Sequence, residues 1–78
     1  MKLDERVMRG NVFYFDNLNY DPATHDKVLV EASPVDRIWG IGLAVDNEQA
    51  MNPEKWRGLN LLGFALMEVR QRLREVGL

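Results

Sequence analysis

The strongest pattern of apolar positions lies toward the C-terminus. Leu59, Leu62, Leu66, Val69, Leu73 and Val76 follow one another at intervals of three and four residues. That spacing places all six on one seam of a helix. Gly77 is positioned to end the helix, and Glu68 and Arg72 stand at i and i+4 on its exposed side. Asn60, Gly63, Met67, Arg70 and Arg74 form a second line beside the seam. Gly63 costs about 1 kcal/mol relative to alanine in a helix interior, so a close approach of backbone or ligand has to offset it. Just upstream, Asn52-Pro53 reads as an N-cap followed by proline at the first helical position. Gly58 interrupts that start, so residues 53–57 are expected to form a separate helical turn.

The first part of the chain has weaker patterns. Leu3, Val7, Met8, Val12 and Phe15 recur every few residues over 2–15, a passable helical face broken by Gly10 and Asn11. Within it, Val12-Phe13-Tyr14-Phe15 favours extended structure. Residues 16–26 are rich in Asp, Asn, Pro and Thr and read as a loop. Lys27-Val28-Leu29-Val30-Glu31 reads as a short strand ending before Ser33-Pro34. No second strand of equal quality is apparent, so few partners are expected for it. Residues 34–46 form a loop that is apolar, aromatic and glycine-bearing at once, a composition suited to packing or to shaping a ligand pocket.

Composition narrows the picture. The chain has 78 residues, 10 basic and 12 acidic side chains, one histidine and no cysteine. That is one small domain, which at this size buries roughly 60% of its unfolded surface, with no disulfide or cysteine-based zinc site to help. The net charge of −2 speaks against a nucleic-acid-binding domain, and no sequence-specific nucleic-acid binding is expected. No apolar run approaches the roughly 20 residues of a membrane span, and residues 1–20 lack the apolar core of a signal peptide. No membrane contact is expected, and the expected location is cytoplasmic.

Few residues suggest chemistry by type alone. His25 reads as a lone surface histidine, no acidic or histidine cluster has metal-ligand spacing, and neither a metal nor a cofactor is expected. Gly40-Ile41-Gly42 lacks the third glycine of a phosphate loop. Asp36 precedes Trp39-Gly40 in the apolar loop, where a raised pKa would suit acid–base work. The alternative is a turn aspartate bonded to its own backbone, with Trp39 as a core plug. Glu31 could act in the same way as Asp36, but a strand-end glutamate reads more simply as a solvated one. Trp56-Arg57 offers flat surfaces for a planar ligand, or Trp56 staples its turn to the core.

Leu29-Val30-Glu31-Ala32-Ser33-Pro34-Val35-Asp36-Arg37-Ile38-Trp39-Gly40-Ile41-Gly42-Leu43 resembles the hallmark segment of the NADAR (YbiA-like) family. Trp56 through Arg70 resembles that family's closing helix. The resemblance is strong over residues 27–74 and weaker over Val7 to Asn17. It implies a mainly α fold with a short β segment, with residues 1–78 forming one partial domain equivalent to the family's C-terminal half. Family members resemble N-glycosidases that act on riboflavin-pathway intermediates or remove ADP-ribose from guanine. The resemblance implies that Asp36 is catalytic, that Trp39 and Gly40 form the pocket wall, and that Asn60 and Gly63 lie where the final helix lines it. The family's N-terminal Glu-His motif has no counterpart among these residues.

Two functions are therefore expected. In the first, the chain holds part of an N-glycosidase site for a nucleotide-like or ribosyl-phosphate small molecule, completed by another chain or by self-association. In the second, it is a non-catalytic module whose Leu59–Val76 seam takes up a second copy or a separate N-terminal half.

Overall fold

The computed structural model describes residues 3–15 and 24–77. The loop expected over 16–26 therefore lies mostly outside the described residues. Helix α1 (Leu3–Met8) leads into strand β1 (Val12–Phe15), and strand β2 (Val28–Glu31) follows. Two short 3-10 helices, Glu48–Met51 and Pro53–Lys55, precede the long helix α2 (Leu61–Glu75). The fold is mainly helical with one short β segment, as the resemblance implied.

The helical reading of 2–15 holds only to Met8. Beyond the Gly10-Asn11 break, β-branched and aromatic side chains favour extended backbone, and Val12–Phe15 forms a strand. It supplies the partner that the sequence did not disclose for β2. The two strands are parallel, with Val12 opposite Val28 and Phe15 opposite Glu31.

All four residues of β2 are buried, so the strand is covered on both of its faces. Val28 and Val30 enter the main core with Val7, Ile41, Leu43 and Ala50, and Trp56 and Met67 pack against it. Ile41 and Leu43 come from the apolar loop, which explains its composition. Asn52 caps Pro53–Lys55 through its side chain, which accepts from the Glu54 N–H. The separate turn before α2 is thus present. Trp56 Nε1 donates to the Ala50 carbonyl at 2.9 Å, so this indole staples the turn to the core.

Helix α2 buries a different line from its seam. Asn60 and Gly63 are buried and Met67 and Arg70 half-buried. Of the seam, Leu62 and Leu66 are half-buried, while Leu59, Val69, Leu73 and Val76 are exposed. Spacing alone defines a face; only the neighbours decide which face is covered. The helix ends at Val76, and the N–H of Gly77 returns to the Arg74 carbonyl. Glu68 and Arg72 form the expected pair at 3.0 Å, both exposed. No helix among the described residues is long and apolar enough to cross a membrane.

Candidate active site

In a parallel pair, alternate residues of a strand bond to the partner and the others leave their N–H and C=O on the free edge. On β2, Val28 and Ala32 donate toward β1. The outer edge belongs to Leu29 and Glu31. Asn60 covers it: its Oδ1 accepts from the Glu31 N–H at 2.9 Å, and its Nδ2 donates to the Leu29 carbonyl at 3.0 Å. The Ile41 N–H adds a bond to the Glu31 carbonyl at 2.9 Å. One amide side chain and one loop N–H thus stand in for a third strand and satisfy groups that would be costly to bury alone. Asn60 adopts φ 54°, ψ 36°, a left-handed conformation that asparagine tolerates better than most residues.

This arrangement demands Gly63. A Cβ there would stand 2.1 Å from the Leu29 carbonyl oxygen and 2.6 Å from each amide atom of Asn60. The missing side chain lets the first turn of α2 rest directly on the strand edge.

The loop after β2 is closed at its root. Its carbonyls at Ile38 and Trp39 accept from the N–H groups of Leu61 and Leu62, and Gly40 O accepts from Asn60 N. The loop therefore caps α2, and those helix amides are already used. Gly40 is buried where the loop re-enters. A Cβ there would lie 3.0 Å from Glu31 O and 3.1 Å from Asp36 O, so its backbone, without a side chain, closes the loop.

Asp36 stands on this loop. Its Oδ1 accepts from the Ile38 N–H at 3.0 Å and the Trp39 N–H at 2.8 Å. The bond from Trp39, then that from Ile38, holds its pKa below the ordinary carboxylate range; desolvation opposes them, and the Gly40 backbone adds a smaller lowering. The raised pKa considered from the sequence is thus corrected: two backbone donors outweigh the neighbouring indole. Such a carboxylate is a fixed negative charge at neutral pH and no proton donor. Trp39 follows it with 53% of its surface exposed, so its indole lies against solvent, not in the core.

A family model described as the NADAR domain matches residues 21–74, more than half of the chain. The chain belongs to the NADAR family. It is 58% identical over 50 residues to "N-glycosidase R617" of Acanthamoeba polyphaga mimivirus, a match covering 62% of this chain and 28% of that protein. It is 50% identical over 50 residues to "Protein irg-1" of Caenorhabditis elegans, covering 64% and 24% respectively. The matched segment thus spans about a quarter of each curated relative. No solved structure matches significantly.

In this NADAR chain the five residues singled out from the sequence lie around one loop and the strand end beneath it. They divide into two kinds. Asp36 and Trp39 reach the surface, whereas Gly40, Asn60 and Gly63 are buried and fasten the loop and helix to β2. Arg70 and Arg74 are elsewhere. Arg70 Nη1 donates to Thr24 Oγ1 at 3.0 Å and Arg74 to the His25 carbonyl. Helix α2 runs back along β2, so its arginine end lies about 20 Å from its Asn60 end. The sequence reading of Glu31 as a solvated strand end is corrected, because the residue is 1% exposed.

Proposed function

We propose that this NADAR chain contributes one wall of an N-glycosidase site that hydrolyses the bond between a ribosyl C1′ and a base. The observation that carries the reading is the Asp36 carboxylate, fixed by two backbone N–H groups beside the exposed Trp39 indole. A relative at 58% identity over 50 residues bears the name N-glycosidase. Glycosidic cleavage passes through an oxocarbenium-like transition state. A carboxylate that stays ionised and needs no reorientation stabilises that developing positive charge. The Trp39 face stacks on the flat base or covers the ribose and excludes water. Gly40, Asn60 and Gly63 act as positioning residues. They hold the loop against β2 and make no contact with substrate.

The substrate class is a nucleotide-like or ribosyl-phosphate molecule, such as a riboflavin-pathway intermediate or an ADP-ribosylated guanine. The test incubates the protein with ADP-ribosylated guanosine and, separately, with a pyrimidine ribosyl-phosphate, and quantifies free base by chromatography. Release by wild type and its loss in Asp36→Asn are expected. Identical background release from both proteins overturns the reading.

A second reading follows from the seam. Leu59 is 62% exposed and Val76 70%, with Val69 and Leu73 also exposed. In that reading the chain is a module that pairs through α2 with a second copy or with a separate N-terminal half. Sedimentation across a concentration series tests self-association. A dimer that Leu73→Glu dissociates supports it, and a monomer throughout removes the second copy as the partner.

A further inference from the structure

Two exposed arginines stand at the loop that carries Asp36 and Trp39. Arg37 follows Asp36 directly, and Arg57 comes from the segment after the Pro53–Lys55 helix. Their main chains are fastened together. The Leu59 N–H donates to the Arg37 carbonyl at 3.0 Å, and the Arg57 N–H donates to the Ile41 carbonyl at 2.8 Å. Gly58 lies between these two bonds, and a Cβ there would stand 2.8 Å from Arg37 Cα and 2.9 Å from the Ile41 carbonyl carbon. The segment therefore presses on the loop with no side chain between them. Gly42 gives way from the loop side. Its φ is +71°, and the point where its Cβ would stand lies 3.0 Å from Arg57 Cβ and 3.3 Å from Arg37 Cγ. The two arginine stems thus start side by side. Among the described residues no ion pair or hydrogen bond ties either guanidinium to an acidic side chain. Backbone bonding alone lowers the Asp36 pKa, so that carboxylate does not neutralise them either. Two like charges rooted together repel, and a phosphate, with close to two negative charges, relieves the repulsion. The planar guanidinium fork also matches phosphate oxygens and binds them bidentately.

We propose that Arg37 and Arg57 form the phosphate-binding arm of the site, taking the phosphate of a ribosyl phosphate or the pyrophosphate of an ADP-ribosyl group. The proposal rests on the N-glycosidase reading and deepens it by assigning what holds the anionic end of the substrate. Consecutive Cα atoms stand about 3.8 Å apart, so Arg37 begins one residue from the carboxylate that meets C1′. On such a substrate the phosphate hangs from the far side of the same sugar. Base at Trp39, sugar at Asp36 and phosphate at the two arginines then share one loop and the segment pressed against it. The arginines do not touch the bond that breaks. Binding energy from the phosphate, remote from the reaction, holds C1′ in place at Asp36. Arg70 and Arg74 do not belong to this arm, because they bond to Thr24 and to the His25 carbonyl toward the other end of α2.

Binding tests the arm without requiring turnover. Calorimetric titration of the full chain at low ionic strength compares ribose 5-phosphate with ribose, and ADP-ribose with adenosine. Wild type is expected to prefer the phosphorylated member of at least one pair by about tenfold or more, and to lose part of that preference as salt is added. Arg37→Gln and Arg57→Gln are each expected to weaken binding of that phosphorylated probe about tenfold. Arg37→Lys and Arg57→Lys keep the charge and most of the stem but lack the planar fork, and are expected to recover part of the loss. Arg9→Gln removes an exposed arginine just past α1 and is expected to change the affinity little. A preference confined to ribose 5-phosphate assigns a phosphate monoester to the arm, and one confined to ADP-ribose assigns a pyrophosphate; either supports it. No preference in wild type, or a loss in the two glutamine variants no greater than in Arg9→Gln, overturns it. The two readings fail separately. Arginine-dependent binding without release of base removes the N-glycosidase reading and leaves the arm as an anion site. Release of base that Asp36→Asn abolishes, from a protein indifferent to phosphate, removes the arm and leaves the N-glycosidase reading intact.

Discussion

Replacing Gly63 by alanine probes how α2 is fastened to β2. Helix propensity alone favours alanine by about 1 kcal/mol. The tertiary structure reverses the sign. The new Cβ would stand 2.1 Å from the Leu29 carbonyl oxygen and 2.6 Å from both amide atoms of Asn60. The carbonyl belongs to a buried strand and has little room to yield, so the helix must withdraw by about 1.3 Å or more to reach ordinary contact. Withdrawal strains the packing, at a cost of about 1–3 kcal/mol. It also pulls Asn60 from the Leu29 carbonyl and the Glu31 N–H. Each buried group left unsatisfied costs about 1–3 kcal/mol. The net expectation is a loss of about 3 kcal/mol, or about 12–24 °C in Tm for a domain of this size. Urea and thermal unfolding followed by far-UV circular dichroism measure it directly. A Gly63→Ala protein as stable as wild type, or more stable, refutes the close approach.

Three further outcomes follow from the same geometry. Asn60→Ala is expected to cost about 2–4 kcal/mol in urea unfolding, because both edge groups of β2 lose their partner and alanine tolerates the left-handed backbone poorly. Asp36 has a depressed pKa when folded, so its stabilising contribution is present above its unfolded pKa and is lost as pH falls through the lower folded value. The stability difference between wild type and Asp36→Asn is therefore expected to be level through neutral pH and to change only in acid, below the ordinary carboxylate range. A difference that changes between pH values of about 6 and 8, the range of histidine titration, would contradict this. Arg72→Ala is expected to shift unfolding by less than about 0.5 kcal/mol, because its pair with Glu68 is exposed at the helix surface.

Much of the site was legible in the sequence because its signals are local. The 29–43 segment and the 56–70 helix resemble the family's motifs, and the NADAR model matches across both. The Asx turn at Asp36 was also foreseeable, since an aspartate two or three residues before free N–H groups bonds to them readily. Its consequence for pKa was not, because that depends on two donors of known geometry set against the desolvation by an apolar loop. The burial of Glu31 was equally hidden. A strand-end glutamate is solvated or enclosed according to what lies over it, and no periodicity reports that.

The sequence by itself determined the local elements: the capped turn at Asn52-Pro53, the helix ending near Gly77, the strand at Val28–Glu31, and a glycine at 63 that needed a reason. Tertiary structure decided how they meet. It paired Val12–Phe15 with β2, turned the Asn60–Gly63 line of α2 inward, and left much of the more regular Leu59–Val76 seam exposed. The physical reason is that spacing fixes which residues share a face, whereas burial depends on unsatisfied backbone groups elsewhere in the chain. Here those groups are the N–H of Glu31 and the carbonyl of Leu29. Asn60 satisfies both, and only a helix with glycine at position 63 comes close enough to let it.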